Sequence, residues 1–289
     1  MNPVPRRVSL KTGLSYHLLE WPGPAGCEHT VLLLHGFLDL AWSWQKTAEM
    51  LAREFHVVAP DMRGHGDSDR VGAGGFYYFS DYLADLHDLI PQVSRSRLSI
   101  VGHSMGGSIA AYYTGTYPDS VHKLAILEGL GPLETTTLGP ERMREFISSW
   151  SRALDRPERC YPTVEMAAKR LQAGDPLLST ELAIELAGHG TTMTPRGLRF
   201  KHDPLHHAVS PNGFEVAVAQ KFWRQVTCPV LHVEGAESDF LRTLSEEEIA
   251  RRRDTFAHST TVTLAGAGHM MQRHQPAALA NALLTFLRA

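Results

Sequence analysis

Residues 98–107 read LSIVGHSMGG. An apolar run stops at Gly102, a polar serine stands two residues later, and small residues follow. A short continuous apolar run is the mark of a strand buried on both faces. The stretch after it, MGGSIAAYYTGTY (105–117), reads as a helix. Ser104 therefore sits at the turn between a buried strand and a helix, inside the pentapeptide Gly102-His103-Ser104-Met105-Gly106. In a parallel sheet, ligands bind beyond the carboxyl ends of the strands. A tight strand-to-helix turn holds its residue in a strained backbone, and the flanking glycines let neighbouring chain pass closely. Such a turn presents the hydroxyl clear of the sheet, where it can act as a nucleophile.

The same alternation extends on both sides. LSYHLLEW (14–21) alternates as a half-exposed strand, and TVLLLHG (30–36), HVVAPD (56–61), HKLAILEG (122–129), CPVLHVEG (228–235) and TTVTLAG (260–266) read as further strands. Helices are expected over 41–54, from a cap at Ser80 through Ile90, near 245–253 and over 276–288. Strands alternating with helices imply right-handed crossovers and a mostly parallel central sheet with helices on both faces. Between about 130 and 213 the alternation fails. Helical pieces (140–154, 163–173, 180–188) and a Gly/Pro-punctuated segment occur there instead. The expected organisation is a core of 1–129 and 214–289 with an inserted helical cap of 130–213.

Composition narrows the function classes. The chain has 289 residues, 43% of them hydrophobic, and a net charge of -3. That length supports one large domain, or a core with an insertion. The slight acidity argues against nucleic acid as a partner. No stretch approaches the roughly 20 apolar residues of a membrane span, so no membrane partner is expected. The opening MNPVPRRVSLKTG carries no apolar signal segment, and three scattered cysteines form no CxxC pair. A reduced, cytoplasmic setting is the expectation.

A serine hydroxyl needs a base to take its proton, and the base needs an acid to orient it. Among 16 histidines, position selects His269, in the Gly-rich loop GAGH after the last strand. His274 is expected to be solvated, His103 to pack, and His35 to fix a loop by hydrogen bonding. Two backbone N–H groups are needed for an oxyanion, and this architecture supplies them at Met105 and at Phe37, where Gly36 permits a sharp turn. Phe37, Met105 and Met270 are candidates for lining a substrate pocket.

The motifs HGF, DMRGHGDS, GHSMGG and GAGH, in this order, resemble the α/β-hydrolase superfamily over nearly the whole chain. LEGLGPLE and GTTMTPRGLRFKHDPL are similar to the serine hydrolase-like proteins within it. The resemblance implies the α/β-hydrolase fold, a Ser–acid–His triad in that chain order, and no cofactor. Most relatives place the acid as G-x-x-D after the strand that corresponds to 228–235. Here GAESDF puts Ser238 at that spacing and Asp239 one residue later. Asp239 is the favoured acid, because loops absorb one residue easily. Glu128, at the end of the strand 122–128, is the alternative, since some superfamily members carry the acid there.

Other signals carry less. KHDPLHH holds His202, Asp203, His206 and His207, but Pro204 breaks the helical face that a metal pair would need, so no metal site is expected. EEEIARRR (246–253) reads as a solvated face with Glu247–Arg251 and Glu248–Arg252 pairs. Asp61 and Arg63 are expected to tie a loop together. The favoured function is hydrolysis of a small-molecule substrate, a largely apolar ester or related acyl compound. Alternatives are carbon–carbon hydrolysis, lactone opening or perhydrolysis with the same triad, and non-catalytic ligand binding on a hydrolase scaffold.

Overall fold

The computed structural model describes residues 2–289. In chain order its strands are β1 (Val4–Ser9), β2 (Ser15–Trp21), β3 (His29–Leu34), β4 (His56–Pro60), β5 (Arg97–His103), β6 (Lys123–Leu127), β7 (Thr191–Thr194), β8 (Gly197–Phe200), β9 (Val230–Gly235) and β10 (Ser259–Leu264). The helices are α1 (Gln45–Leu51), α2 (Phe79–Val93), α3 (Met105–Thr116), α4 (Gly139–Asp155), α5 (Val164–Gly174), α6 (Thr180–Gly190), α7 (Val216–Trp223), α8 (Glu246–Arg253), α9 (Met271–His274) and α10 (Pro276–Arg288).

Eight strands form one sheet in the order β1-β2-β4-β3-β5-β6-β9-β10, and β7-β8 is a separate hairpin. From β4 to β10 every neighbouring pair is parallel; only β1 and β2 run against their neighbours. Side chains alternate across the sheet with period two. Leu32, Leu34 and Ile100 point into one core with α2, α3 and α7, while Val31, Leu33 and Val101 point into another with α1 and α10. Burial on both faces explains the unbroken apolar runs of β3 to β6. Among the described residues, no helix is long and apolar enough to cross a membrane.

Strand register places the site. His103 of β5 pairs with Leu127 of β6, so the next residues, Ser104 and Glu128, leave the sheet side by side. Leu127 in turn pairs with Val233 of β9. Residues 130–213 hold α4, α5, α6 and the hairpin. Part of this segment packs with Leu40 into its own apolar cluster around Tyr161, Ala183 and Leu186. It is tied to the core where the Asp203 N–H donates to the Gly64 carbonyl and the Tyr77 hydroxyl donates to Asp203.

Several local expectations need correction. The helix expected to start at a Ser80 cap begins at Phe79, with Tyr78 in the cap position and no side-chain cap bond. Strand β1 escaped the sequence reading because only Val8 of its six residues is buried. The segment 191–200 is an antiparallel hairpin turning through Pro195 and Arg196, with Gly197 at φ 111°. Its β-branched threonines suit a strand, which its Gly and Pro obscured. The expected helix 41–54 splits into a 3-10 turn, Ala41–Trp44, followed by α1.

Candidate active site

Ser104 adopts φ 51° and ψ -118° between β5 and α3, a backbone region that L residues rarely occupy. The surroundings over-determine it. The Ser104 N–H donates to the Leu127 carbonyl at 2.9 Å, and its own carbonyl accepts the Ser108 N–H. A Cβ on Gly106 would lie 2.4 Å from the Leu34 carbonyl oxygen, so the elbow packs backbone against backbone. Glu128 also has a positive φ, 47°, in the left-handed region that non-glycine residues seldom adopt. Two strained residues thus emerge together, and strain of this kind persists only where neighbours hold it in place.

His269 lies between them. Its Nε2 is 3.0 Å from Ser104 Oγ and its Nδ1 is 2.7 Å from Glu128 Oε2. A carboxylate only accepts, so Nδ1 carries the proton and Nε2 is free to accept from the serine hydroxyl. The carboxylate is fixed from two further directions. Ser238 Oγ donates to Oε2 at 2.7 Å and the Gly235 N–H donates to Oε1 at 2.8 Å. Its side chain is fully buried, so it is held by these partners rather than by water.

The favoured acid of the sequence reading is therefore corrected. Asp239 does not reach His269: its side chain is 92% exposed and bonds to Arg242. The turn after β9 points Ser238 inward, at 2% exposure, and the next residue outward. The residue at the G-x-x-D spacing does face the site, but as a hydroxyl that donates to Glu128. One signal in the sequence marked Glu128: the glycine after it. A Cβ on Gly129 would lie 2.6 Å from Gly107 Cα and 2.8 Å from the Ser104 carbonyl oxygen, so the turn after β6 presses on the elbow itself.

Buried groups behind these loops hold them in place, and little in the sequence marks most of these groups. Arg252 is 1% exposed, and its Nη1 donates to the carbonyls of Leu130, Gly131 and Pro132, just beyond Glu128. The helix read as a solvated face thus turns this arginine inward, while Glu248 bonds both Arg251 and Arg252. His274, expected to be solvated, has a side chain 3% exposed; its Nδ1 accepts from the Gly268 N–H and its Nε2 bonds Asp175 at the end of α5. His103 Nε2 donates to the His269 carbonyl at 2.8 Å, and its Nδ1 faces the Gln272 amide. Burial, followed by the neighbouring His269, pushes His103 down to about 3, so it stays neutral at working pH. Burial works against ionisation of Asp39, but Arg273 and His35 outweigh it and hold the carboxyl below its usual range.

The loop after β3 abuts the nucleophile. A Cβ on Gly36 would lie 3.2 Å from Ser104 Cβ. Leu38, at φ 57°, donates its N–H to His65 Nε2, and His65 Nδ1 donates to the Arg63 carbonyl. His35 bonds the Gly36 carbonyl and accepts from the Met62 N–H, as a loop-fixing histidine should. Asp61 accepts from the N–H groups of Ala41 and Asp67 and bonds His17, while Arg63 bonds Asp81 and Asp85. Phe37, Met105 and Met270 line the same cavity as Ser104 and His269, with a volume of about 1130 Å³. Leu138, Asn212 and Phe214 contribute to its wall. Met271, by contrast, is wholly buried in the core.

The residues 29–157 match the family model described as the alpha/beta hydrolase fold. The chain has the α/β-hydrolase fold. It is similar to a "Serine hydrolase-like protein" of Danio rerio, 34% identical over 60% of this chain and 54% of that protein. It is also similar to a "Probable serine hydrolase" of Drosophila melanogaster, 28% identical over 83% of this chain and 75% of that protein. The chain spans about half the length of the serine hydrolase-like relatives from Danio rerio and Homo sapiens that it matches. Among solved structures it resembles the "Thioesterase Domain From Curacin Biosynthetic Pathway", with TM-score 0.85, 26% identity and coverage of 99% and 100% of the two chains. "E-2-(Acetamidomethylene)succinate Hydrolase" shares the fold, with TM-score 0.80, 23% identity and coverage of 99% and 100%.

Proposed function

We propose that the protein is a serine hydrolase that cleaves a small, largely apolar ester or related acyl compound through an acyl-enzyme. The observation that carries this reading is the single hydrogen-bonded line Ser104–His269–Glu128, opening into an apolar cavity. Ser104 Oγ attacks the substrate carbonyl while His269 Nε2 takes its proton. Glu128 holds the imidazole in the tautomer that leaves Nε2 free, and stabilises the imidazolium as it forms. The amides of Met105 and Phe37 receive the oxyanion. His269 then returns the proton to the leaving group as the carbon–oxygen bond breaks. Water, deprotonated by His269, attacks the acyl-enzyme, and the released Ser104 oxygen recovers the proton.

Residues 130–213 act in this reading as a cap that limits substrate size and excludes bulk water. The presence of Leu138 and Asn212 in the cavity wall supports that role. A cytoplasmic setting fits three free cysteines. The direct test is Ser104→Ala. A folded variant with kcat for a p-nitrophenyl ester lowered by roughly 10⁴–10⁶ is expected. Activity within tenfold of the wild type would remove Ser104 from the mechanism.

A further inference from the structure

The cavity is longer than a small ester needs, and its shape relative to Ser104 and His269 distinguishes the two halves of a substrate. Met105, Ser108 and Tyr112 of α3 all line it. Their spacing follows one face of the helix, so the cavity runs about 10 Å along α3 from the nucleophile. At that distance Tyr112 stacks on Phe222 with centroids 4.5 Å apart and meets Phe79 edge-on at 4.9 Å. Phe240 and Met270 also line the cavity, with the Phe240 ring 4.4 Å from that of His269. His269 must hand its proton to the leaving group, so the leaving group belongs beside Phe240 and Met270. The acyl group then extends the other way, along α3. Among the described residues, no lysine or arginine lines the cavity; its charged residues are Glu128, already committed to His269, and Glu215. An anionic terminus would find no partner there.

Resting on the serine-hydrolase reading, we propose that the natural substrate is an ester or thioester of an uncharged medium-chain fatty acid, its acyl chain laid along α3 as far as the Tyr112–Phe79–Phe222 wall. Each buried methylene contributes about 0.8 kcal/mol, or roughly fourfold, until the wall is reached.

The test is kcat/KM over p-nitrophenyl acetate, butyrate, octanoate, laurate and palmitate, beside alkyl acetates of the same chain lengths and the mono-p-nitrophenyl ester of suberate. The expected result is a rise of about 10³-fold or more from acetate to octanoate, six methylenes at roughly fourfold each, and a fall by palmitate. The alkyl acetates should show no comparable rise, and the suberate ester should be about 10²-fold worse than octanoate. Tyr112→Trp should move the optimum to a shorter acyl chain. Val218→Trp, on the exposed lip of the same lobe, should do likewise and covers the case in which the first variant fails to fold. A flat or falling acyl series, a rise in the alkyl acetates instead, or a suberate ester as good as octanoate would overturn the proposal. Capture of Ser104 by a fluorophosphonate in the same preparation separates the two levels. With capture, a failed series sinks only the acyl assignment; without it, the hydrolase reading and the acyl assignment fall together.

Discussion

At the scale of single residues, the carboxylate beside His269 is decided by where two side chains point. The turn after β9 brings Ser238 inward and leaves Asp239 in solvent. The Ser238 hydroxyl then donates to the oxygen that also receives the His269 proton donor. Ser238→Ala removes one of those bonds and leaves the buried carboxylate under-satisfied. A fall of about tenfold in kcat is expected, with KM little changed, because a net hydrogen bond is worth about 1–1.5 kcal/mol. An unchanged kcat would mean that Glu128 is held well enough without it. Ser104 and His269 were legible because each stands in a short motif whose glycines mark its turn. Glu128 was legible only as one of two candidates. Sequence spacing says where a residue sits along a loop, and not whether that residue faces in or out.

Between elements, the decisive contact is backbone on backbone. The turn after β6 and the start of α3 meet at Gly129 and Gly107, with no room for a side chain on either. Gly129→Ala would push Glu128 or the elbow aside by a few tenths of an ångström or more. Such a shift at a reacting centre is expected to lower kcat by about 10²-fold while circular dichroism stays native. Native activity would show that the turn can relax. The central parallel strands were readable from unbroken apolar runs, and α10 from its one-sided apolar stripe. Strand β1, the hairpin β7–β8 and the inward arginine of α8 were not. Their residues are exposed or polar, so hydrophobic periodicity carries no signal, and only tertiary contacts settle their state. Arg252 illustrates this: its sequence context is six charged neighbours, yet three carbonyls beyond β6 draw it into the interior.

For the molecule as a whole, buried histidines set the acid limit of stability. Burial pushes His103 and His206 down to about 3, and His29, His202 and His232 to about 4, from an ordinary value near 6.5. These groups stay neutral in the fold but bind protons when unfolded below about 6.5. Their contribution is fully present above that pH and is lost as pH falls toward 4 and then 3. Carboxylates held low, such as Asp39 and Asp61, begin to add their losses once pH falls below their ordinary value near 3.8. The urea midpoint should therefore drop between pH 7 and pH 5, before carboxylates titrate; a constant midpoint over that window would contradict this. The central claim, that Ser104 is a nucleophile driven by His269 and Glu128, is tested most directly by the rate of fluorophosphonate capture, followed by intact mass and mapped by peptide. Fast, single labelling at Ser104 in the wild type and in Asp239→Asn is expected, with Glu128→Gln slower by about 10³-fold or more. No adduct at Ser104, or an Asp239→Asn variant as slow as Glu128→Gln, would contradict it.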